Sequence, residues 1–412
     1  MRILYLTQWF DPEPAFKGAD FAAAIAACGH DVEVATAFPN YPGGKVYPGY
    51  RIRPYAQETL RRLPVHRLCI FPSHDRSALG RMANYLSFFV SALIFGLWRG
   101  RRYDAVYVYH PPITPGLAAA LFCMVHRKPM VVEIQDLWPD SVVASGMAGG
   151  RIDRVLRVLC NFVYRRATHL IPQSDGMRAQ LIARGVPAGK LTRIFNWSTY
   201  QPAAIDDAHA GQSAALPAFA GRFNLVYGGN LGQAQGLATV IKAVAEARQS
   251  CPELHLHLFG HGIEAEMLTA LAGQVAPEGV SFHGLLERAA MDRVFDQADV
   301  LVMHLKDDPL YDITLPSKMQ HYLSCGKPII AGLKGEAGAL LQRSGAARVC
   351  SPEDVAQMAA AMIGLTRMPS PDRATLGENG KRFYDAHMAF DRAIAETVGI
   401  LENIIMSHQH KA

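Results

Sequence analysis

The chain has 412 residues, half of them apolar and 19% charged, too long for one ordinary core and suited to two globular domains of about 200 residues each. Seven scattered cysteines (Cys28, Cys69, Cys123, Cys160, Cys251, Cys325 and Cys350) without a C-x-x-C pair argue against a disulfide framework or a cysteine zinc site and fit a reducing compartment. The net charge of +5 is uneven: residues 1–200 hold 24 Lys and Arg against 13 Asp and Glu, and the rest hold 17 against 23, so the first half should face something anionic.

No zinc-finger or ribonucleoprotein-type signature is visible, so nucleic acid is not the expected partner. The chain opens Met1-Arg2 directly into an apolar run at 3–6, which predicts no signal peptide and a cytoplasmic location. Further strands are predicted at 32–35, 105–109, 130–134 and 169–172, with a helix at 21–27 and an irregular loop over 8–18 that ends on Lys17 and Gly18. Residues 84–98 form an apolar run flanked by Arg76, Arg81, Arg99, Arg101 and Arg102. The run is shorter than the roughly 20 residues needed to span a bilayer. Two readings stand: a buried helix of the first domain, or a helix lying in an anionic membrane interface with Phe88, Phe89 and Trp98 on lipid.

His110-Pro111-Pro112 ends one strand, and Glu133-Ile134-Gln135-Asp136-Leu137-Trp138-Pro139-Asp140 ends the next. His110, Asp136 and Asp140 are candidates to line an acceptor site or position a hydroxyl; a helix cap plus a solvated acid is the plain alternative for the two aspartates. Residues 198–221 read as a linker rich in Ala, Asp, Ser and Pro. Beyond it, strands are predicted at 225–227, 254–259, 300–303, 328–331 and 347–350, helices at 238–248 and 291–298, and a last helix at 391–405 long enough to cross back to the first domain. The alternation predicts an α/β fold with a parallel, doubly wound sheet in each half, and ligands at the carboxyl ends of the strands.

Three glycine turns follow strands of the second half. Gly228-Gly229-Asn230-Leu231-Gly232-Gln233-Ala234-Gln235-Gly236 lets backbone approach a ligand, although it has neither the dinucleotide fingerprint nor a P-loop lysine. Gly260-His261-Gly262 carries a histidine read as structural or solvent-facing, and His283-Gly284-Leu285 could set backbone against a flat base. The strongest signal is Thr314-Leu315-Pro316-Ser317-Lys318, read as a helix start with Thr314 as cap and Pro316 in the first turn, stopped by Gly326 and Pro328. First-turn amides and the helix dipole favour an anion there, a diphosphate would fit, and Lys318 adds a full charge. No Asp-x-Asp, H-E-x-x-H or G-x-S-x-G motif is present, so amides and cations, with no metal, are expected to stabilise a leaving group.

Taken in order, these motifs resemble the family 4 retaining glycosyltransferases of the bacterial surface-polysaccharide branch. The resemblance rests on the aromatic and proline-rich opening through Gly18, Cys28-Gly29-His30-Asp31, Phe38-Pro39-Asn40-Tyr41-Pro42, His110-Pro111-Pro112, Gln135-Asp136-Leu137-Trp138-Pro139, Ile194-Phe195-Asn196-Trp197, Tyr227-Gly228-Gly229-Asn230 and Pro316-Ser317-Lys318 through Gly326-Lys327-Pro328. It implies the GT-B fold, with an acceptor domain at 1–200, a nucleotide-sugar domain at 201–390 facing it across a cleft, and a helix at 391–412 returning to the first. It also implies a nucleoside diphosphate sugar as substrate, UDP-linked in the reading adopted, with no cofactor, and a lipid-linked saccharide acceptor at the inner face of the inner membrane.

Carried over by motif, Gly18, Gly229, Asn230 and Gln235 would lie beside the diphosphate, Leu285 would meet the base, and Leu315 to Lys318 would hold phosphate oxygens. The family's two glutamates fall on Ile313 and His321, with Asp312 and Gln320 one position earlier as substitutes. Its acceptor-side histidine appears as Gln135, which is compatible with a 6-deoxy sugar. Lys318 and Asp136 are the catalytic candidates, His261 joins the donor side and Lys17 the acceptor side. Two alternatives are a nucleotide-sugar epimerase on the same frame and a non-enzymatic two-domain solute-binding protein.

Overall fold

A computed structural model describes residues 1–73, 78–110, 112–138, 151–200 and 219–410. The chain divides into two compact units, Met1–Ile194 with Ala393–Ala412, and Phe195–Arg392. In the first unit the elements are β1 (Arg2–Leu6), α1 (Ala19–Ala27), β2 (Asp31–Ala37), β3 (Tyr55–Leu60), β4 (Leu63–Leu68), α2 (Ala78–Arg99), β5 (Ala105–His110), α3 (Ile113–His126), β6 (Met130–Ile134), α4 (Arg151–Arg166), β7 (His169–Pro172) and α5 (Asp175–Ala183). The strands form one sheet in the order β3-β4-β2-β1-β5-β6-β7, parallel except for the edge strand β3. Its order reverses between β1 and β5, which places the loop after β1 and the ends of β5 and β6 where such sheets bind ligands.

The central strands were readable because parallel strands covered on both faces are continuous apolar runs. Val106, Tyr107 and Val108 of β5 and Val131 and Val132 of β6 are all buried completely. The β3–β4 hairpin was not predicted. Its two-residue turn, Arg61-Arg62, has both residues at positive φ (47° and 66°), a geometry for which Asn-Gly is the usual signal, and arginines gave none.

In the second unit the elements are β8 (Phe223–Gly228), α6 (Leu237–Arg248), β9 (Leu254–Phe259), α7 (Ala265–Val275), β10 (Val280–Phe282), α8 (Arg288–Gln297), β11 (Val300–His304), α9 (Pro309–Asp312), α10 (Ser317–Ser324), β12 (Ile329–Gly332), α11 (Gly335–Ser344), β13 (Ala347–Cys350), α12 (Val355–Arg367), α13 (Ser370–His387) and α14 (Phe390–Gln409). The parallel sheet runs β10-β9-β8-β11-β12-β13, with its reversal between β8 and β11. Alternate residues feed two cores: Leu225, Tyr227, Val300 and Val302 on one face, Val226, Leu301 and Met303 on the other. From Ala393 onward α14 belongs to the first unit, where His408 Nε2 lies 2.7 Å from the Arg127 carbonyl oxygen. Most of the linker predicted at 198–221 lies outside the described residues.

Helix α2 is longer than its apolar run suggested and has two dissimilar faces. Asn84, Phe88, Ala92 and Phe95 are buried, and the Asn84 amide joins Gln8 (2.8 Å), Asn40 (3.2 Å) and the Phe71 carbonyl (2.8 Å). Phe88 is therefore core, as the buried-helix reading had it and not the lipid-facing one, while Trp98 is 68% exposed. Arg99 is likewise turned inward, donating to the Tyr55 hydroxyl at 3.2 Å.

A row of imidazoles lies on β9 and beside the edge strand β10 of the second sheet. His257 bonds to His283 (3.0 Å) and Asn224 (3.1 Å), and His255 to Ser281 (2.8 Å), with Arg222 at 3.2 Å from its ring. Burial, reinforced by neighbouring cationic groups, lowers His255 to about 4 and His257 to about 3. Unfolded histidine takes up its proton near 6.5, so their contribution is intact above that pH and is lost as pH falls toward 4. Melting followed by circular dichroism at pH 7, 5.5 and 4.5 should show a falling transition temperature, with His257→Asn flattening the decline.

Candidate active site

The β8/β11 reversal brings together the three glycine turns and the start of α10. Their backbones interlock: Gly229 N–H donates to Phe259 O (2.9 Å), Gly260 N–H to Gly284 O (2.7 Å) and Leu231 N–H to His261 O (2.8 Å). Gly260 has φ +133°, and a Cβ there would lie 1.8 Å from Gly229 O, so the approach of these turns requires glycine. Two tyrosines fix the first turn, Tyr227 donating to Asn230 O (2.7 Å) and Tyr322 accepting from Gly228 N–H (3.0 Å). Gln235 Oε1 accepts the Gly232 N–H at 3.2 Å and the Asn230 amide at 3.5 Å.

Helix α10 starts at Ser317 with Pro316 as its cap residue and no side-chain cap bond, so Thr314 is not the cap and Pro316 stands just ahead of the first turn in which it was expected. Ahead of the helix a cavity of about 250 Å³ is lined by Ala234, Gln235, His304, Thr314, Pro316 and Lys318 among others. Lys318 reaches back over the Tyr227 ring, with Nζ 4.9 Å from its centroid. A Cβ on Gly229, whose φ is +144°, would lie 2.5 Å from that Nζ, so the glycine makes room for the ammonium group. Among the described residues no carboxylate pairs with Lys318, and burial lowers its pKa to about 8. An ammonium group so placed, beside first-turn amides, is suited to an oxyanion.

The other donor-side candidates separate. Leu315 is core by its side chain, leaving its backbone at the cavity. Gln320 is buried, and its amide nitrogen donates to Pro316 O (2.9 Å) and Ser317 O (3.2 Å), which removes it as a free sugar or ribose contact. Asp312 lies outside the cavity, 3.8 Å from Lys334 and against Gly335. His321 faces Ser198 Oγ (3.2 Å) and the Phe295 ring, burial lowers it to about 4, and its buried Nε2 lies 3.6 Å from the Asp292 carboxylate, beyond hydrogen-bond distance. His261 is exposed and Leu285 is 70% exposed, both beside the Gly260–Gly284 contact. A further cavity of about 420 Å³, lined by Lys334, Gly335, Gly338 and Cys350, adjoins the start of α11.

In the first unit the expected acceptor groups are partly consumed by the fold. Lys17 is 1% exposed and paired with Glu133 at 2.5 Å. Burial lowers the Lys17 pKa while Glu133 opposes that shift. The Tyr107 hydroxyl and the Gln135 amide also donate to Glu133, and the Tyr5 hydroxyl donates to Lys17 O at 2.5 Å. Lys17 and Gln135 are thus internal partners of a buried carboxylate, a correction to their reading as acceptor contacts. The room left by Gly18 is taken by Asp11, which accepts the Ala19 N–H at 2.6 Å. Asp136 is exposed at the end of β6, His110 closes β5, and Asp140 lies outside the described residues.

Residues 19–197 match the family described as Glycosyl transferase 4-like domain, and residues 222–367 the family described as Glycosyl transferases group 1. The chain belongs to the family 4 glycosyltransferases. It is 28% identical over 392 residues to the putative colanic acid biosynthesis glycosyl transferase WcaI of Escherichia coli, covering 90% of this chain and 93% of that one. Its fold is similar to HepE from Anabaena, solved with UDP (TM-score 0.69, 17% identity, 98% of this chain and 100% of that one) and with UDP-glucose. It is also similar to the lipopolysaccharide outer core galactosyltransferase WaaB (TM-score 0.62, 14% identity, 99% of each chain). The fold is GT-B, two parallel-sheet α/β domains. These matches favour neither an epimerase nor a solute-binding protein.

Sequence reasoning overlooked three supporting residues of this glycosyltransferase. His304 Nδ1 lies 2.8 Å from Gln235 O while its Nε2 accepts the Glu353 N–H at 3.0 Å, which makes Nδ1 the donor and pins the glycine turn. Gly236 and Gly332 leave space for that ring, and this pairing of glycines with a strand-end histidine was the available signal. The other two, Tyr322 and Glu133, are buried, and the contacts of Tyr322 with Gly228 and of Glu133 with Lys17 and Tyr107 are distant in sequence.

Proposed function

We propose that this glycosyltransferase moves a sugar from a nucleoside diphosphate donor, held by the second unit, to a hydroxyl of a lipid-linked saccharide bound by the first, with retention of anomeric configuration. The observation that carries the reading is Lys318: a half-buried ammonium group, without a carboxylate partner among the described residues, beside a glycine turn and a helix start without a side-chain cap, at a sheet's reversal point. In this mechanism the diphosphate oxygens rest on Lys318 and the Ser317 and Lys318 amides, without a divalent ion. Front-face substitution lets the departing phosphate oxygen take the acceptor's proton as the new glycosidic bond forms. His321, at a position where the family has a glutamate, serves the ribose, and Asp136 orients the acceptor hydroxyl.

The UDP and UDP-glucose in HepE support a uridine donor, and the names of WcaI and WaaB, which speak of colanic acid and lipopolysaccharide, support polysaccharide assembly, which the proposed lipid-linked acceptor puts at the inner face of the inner membrane. The donor sugar is an N-acetylated or 6-deoxy amino sugar in this reading, and the 6-deoxy form fits the family's histidine appearing here as Gln135. In chelator, UDP should raise the melting temperature in proportion to ln(1 + [L]/Kd). No shift with any nucleoside diphosphate, or a shift restored only by manganese, would contradict the reading.

A pH dependence follows from the burial of Lys318. In the free enzyme the charged form prevails below about 8 and is lost above it, so kcat/KM should fall as pH rises through 8. Lys318→Arg keeps the charge and should move that limb upward by at least one pH unit or so. An unchanged limb in the arginine variant would assign it to another group.

A further inference from the structure

The outer face of α2 carries an apolar stripe that no part of the described chain covers. Leu79, Met82, Leu86, Val90, Ile94, Leu97 and Trp98 recur at three- and four-residue steps and are between 44% and 79% exposed. The opposite face is anchored in the first unit by Phe88, Ala92, Phe95 and the Asn84 hydrogen bonds. The helix passes the length and hydropathy test for a membrane span, yet withdrawing it would strip these core contacts and leave the Asn84 amide unpaired, so it is held flat against the unit.

At the carboxyl end of α2, Gly96 and Gly100 admit Phe122 and His126 of α3, which sets the two helix ends side by side. At this end Leu97 and Trp98 of α2 and Val125 of α3 are exposed, as are Arg101, Arg102 and Arg127. Apolar side chains with an aromatic residue at the boundary, rimmed on one end by cations, match the chemistry of an anionic bilayer surface, with acyl chains under the stripe and headgroups on the arginines.

We propose that α2 lies in the plane of an anionic membrane, its Leu79-to-Trp98 stripe in the acyl boundary and Arg101, Arg102 and Arg127 on lipid phosphates. This rests on the proposed lipid-linked acceptor for its biological sense, though not for its test. Docking by this face keeps the first unit at the bilayer without a spanning segment.

Vesicles of phosphatidylglycerol and phosphatidylethanolamine, and neutral phosphatidylcholine vesicles, would be sedimented with the full chain. Binding should favour the anionic vesicles and weaken with salt. Replacing Arg101, Arg102 and Arg127 together by Gln should weaken it roughly a hundredfold, at about fivefold per arginine. Leu86→Glu with Ile94→Glu should abolish it with the circular dichroism spectrum unchanged. Brominated lipids should quench the wild type and leave Trp98→Phe largely unquenched, a readout that needs no destabilising substitution.

Equal binding to neutral vesicles, no quenching difference, or a stripe that instead drives self-association without vesicle binding would overturn the proposal. Transfer to a detergent-dispersed short-chain acceptor should be unaffected in the Glu variants. Loss of wild-type transfer to every such acceptor would count against the proposed reaction and leave the docking result standing.

Discussion

Lys318→Ala is expected to lower turnover by roughly 100- to 1000-fold, the cost of about 2.7 to 4 kcal/mol that follows loss of one preorganised charge contact to a developing oxyanion. The effect should fall on kcat more than on KM, because the diphosphate gains charge as the sugar departs and Lys318 stabilises that gain most. Nothing in the fold depends on the ammonium group: α10 is held by Met319, Tyr322 and Leu323, which are buried in the core beneath it. Melting temperature should therefore stay near that of the wild type, or rise, since an incompletely solvated charge has been removed. Single-turnover measurements with the intact donor would separate binding from chemistry. Turnover within about twofold of wild type would remove Lys318 from the mechanism.

Lys17→Met should act in the opposite way, destabilising the first unit by about 3 to 5 kcal/mol because it leaves Glu133 ionised, buried and without its countercharge. Tyr107 and Gln135 would still donate to that carboxylate, so the lower end of the range is expected. The double variant Lys17→Met with Glu133→Leu should recover much of the loss, since it removes both charges. Urea unfolding of the two single variants and the double completes the cycle. Wild-type stability in Lys17→Met, with transfer lost, would return Lys17 to the acceptor-contact role that its position in the loop after β1 suggested.

The surroundings of these two lysines show how far sequence reading reaches. The helix that carries Lys318 was legible because its signals are local: a proline, a short helical run and a glycine stop lie within twelve residues, and their backbone geometry follows from residue type. Lys17 was misread because its partner is 116 positions away on β6, and nothing near residue 17 announces a buried carboxylate. Gln320 failed for a related reason. Its motif position suggested a ligand contact, while its side chain turns back on the carbonyls of Pro316 and Ser317. The sheets were recoverable from apolar runs, since strands such as β6 and β11 are buried along their whole length. Helix α2 has one face buried, as a core helix would, and leaves apolar residues exposed on the other, a split that its apolar run did not announce.

The measurement closest to the central claim is a crystal structure of the protein with a bound nucleoside diphosphate, grown in chelator. The account predicts phosphate oxygens about 3 Å from Lys318 Nζ and from the Ser317 and Lys318 amides, in the cavity ahead of α10. A diphosphate lodged instead against Lys334 and Gly335 at the start of α11, with Lys318 making no contact, would contradict it.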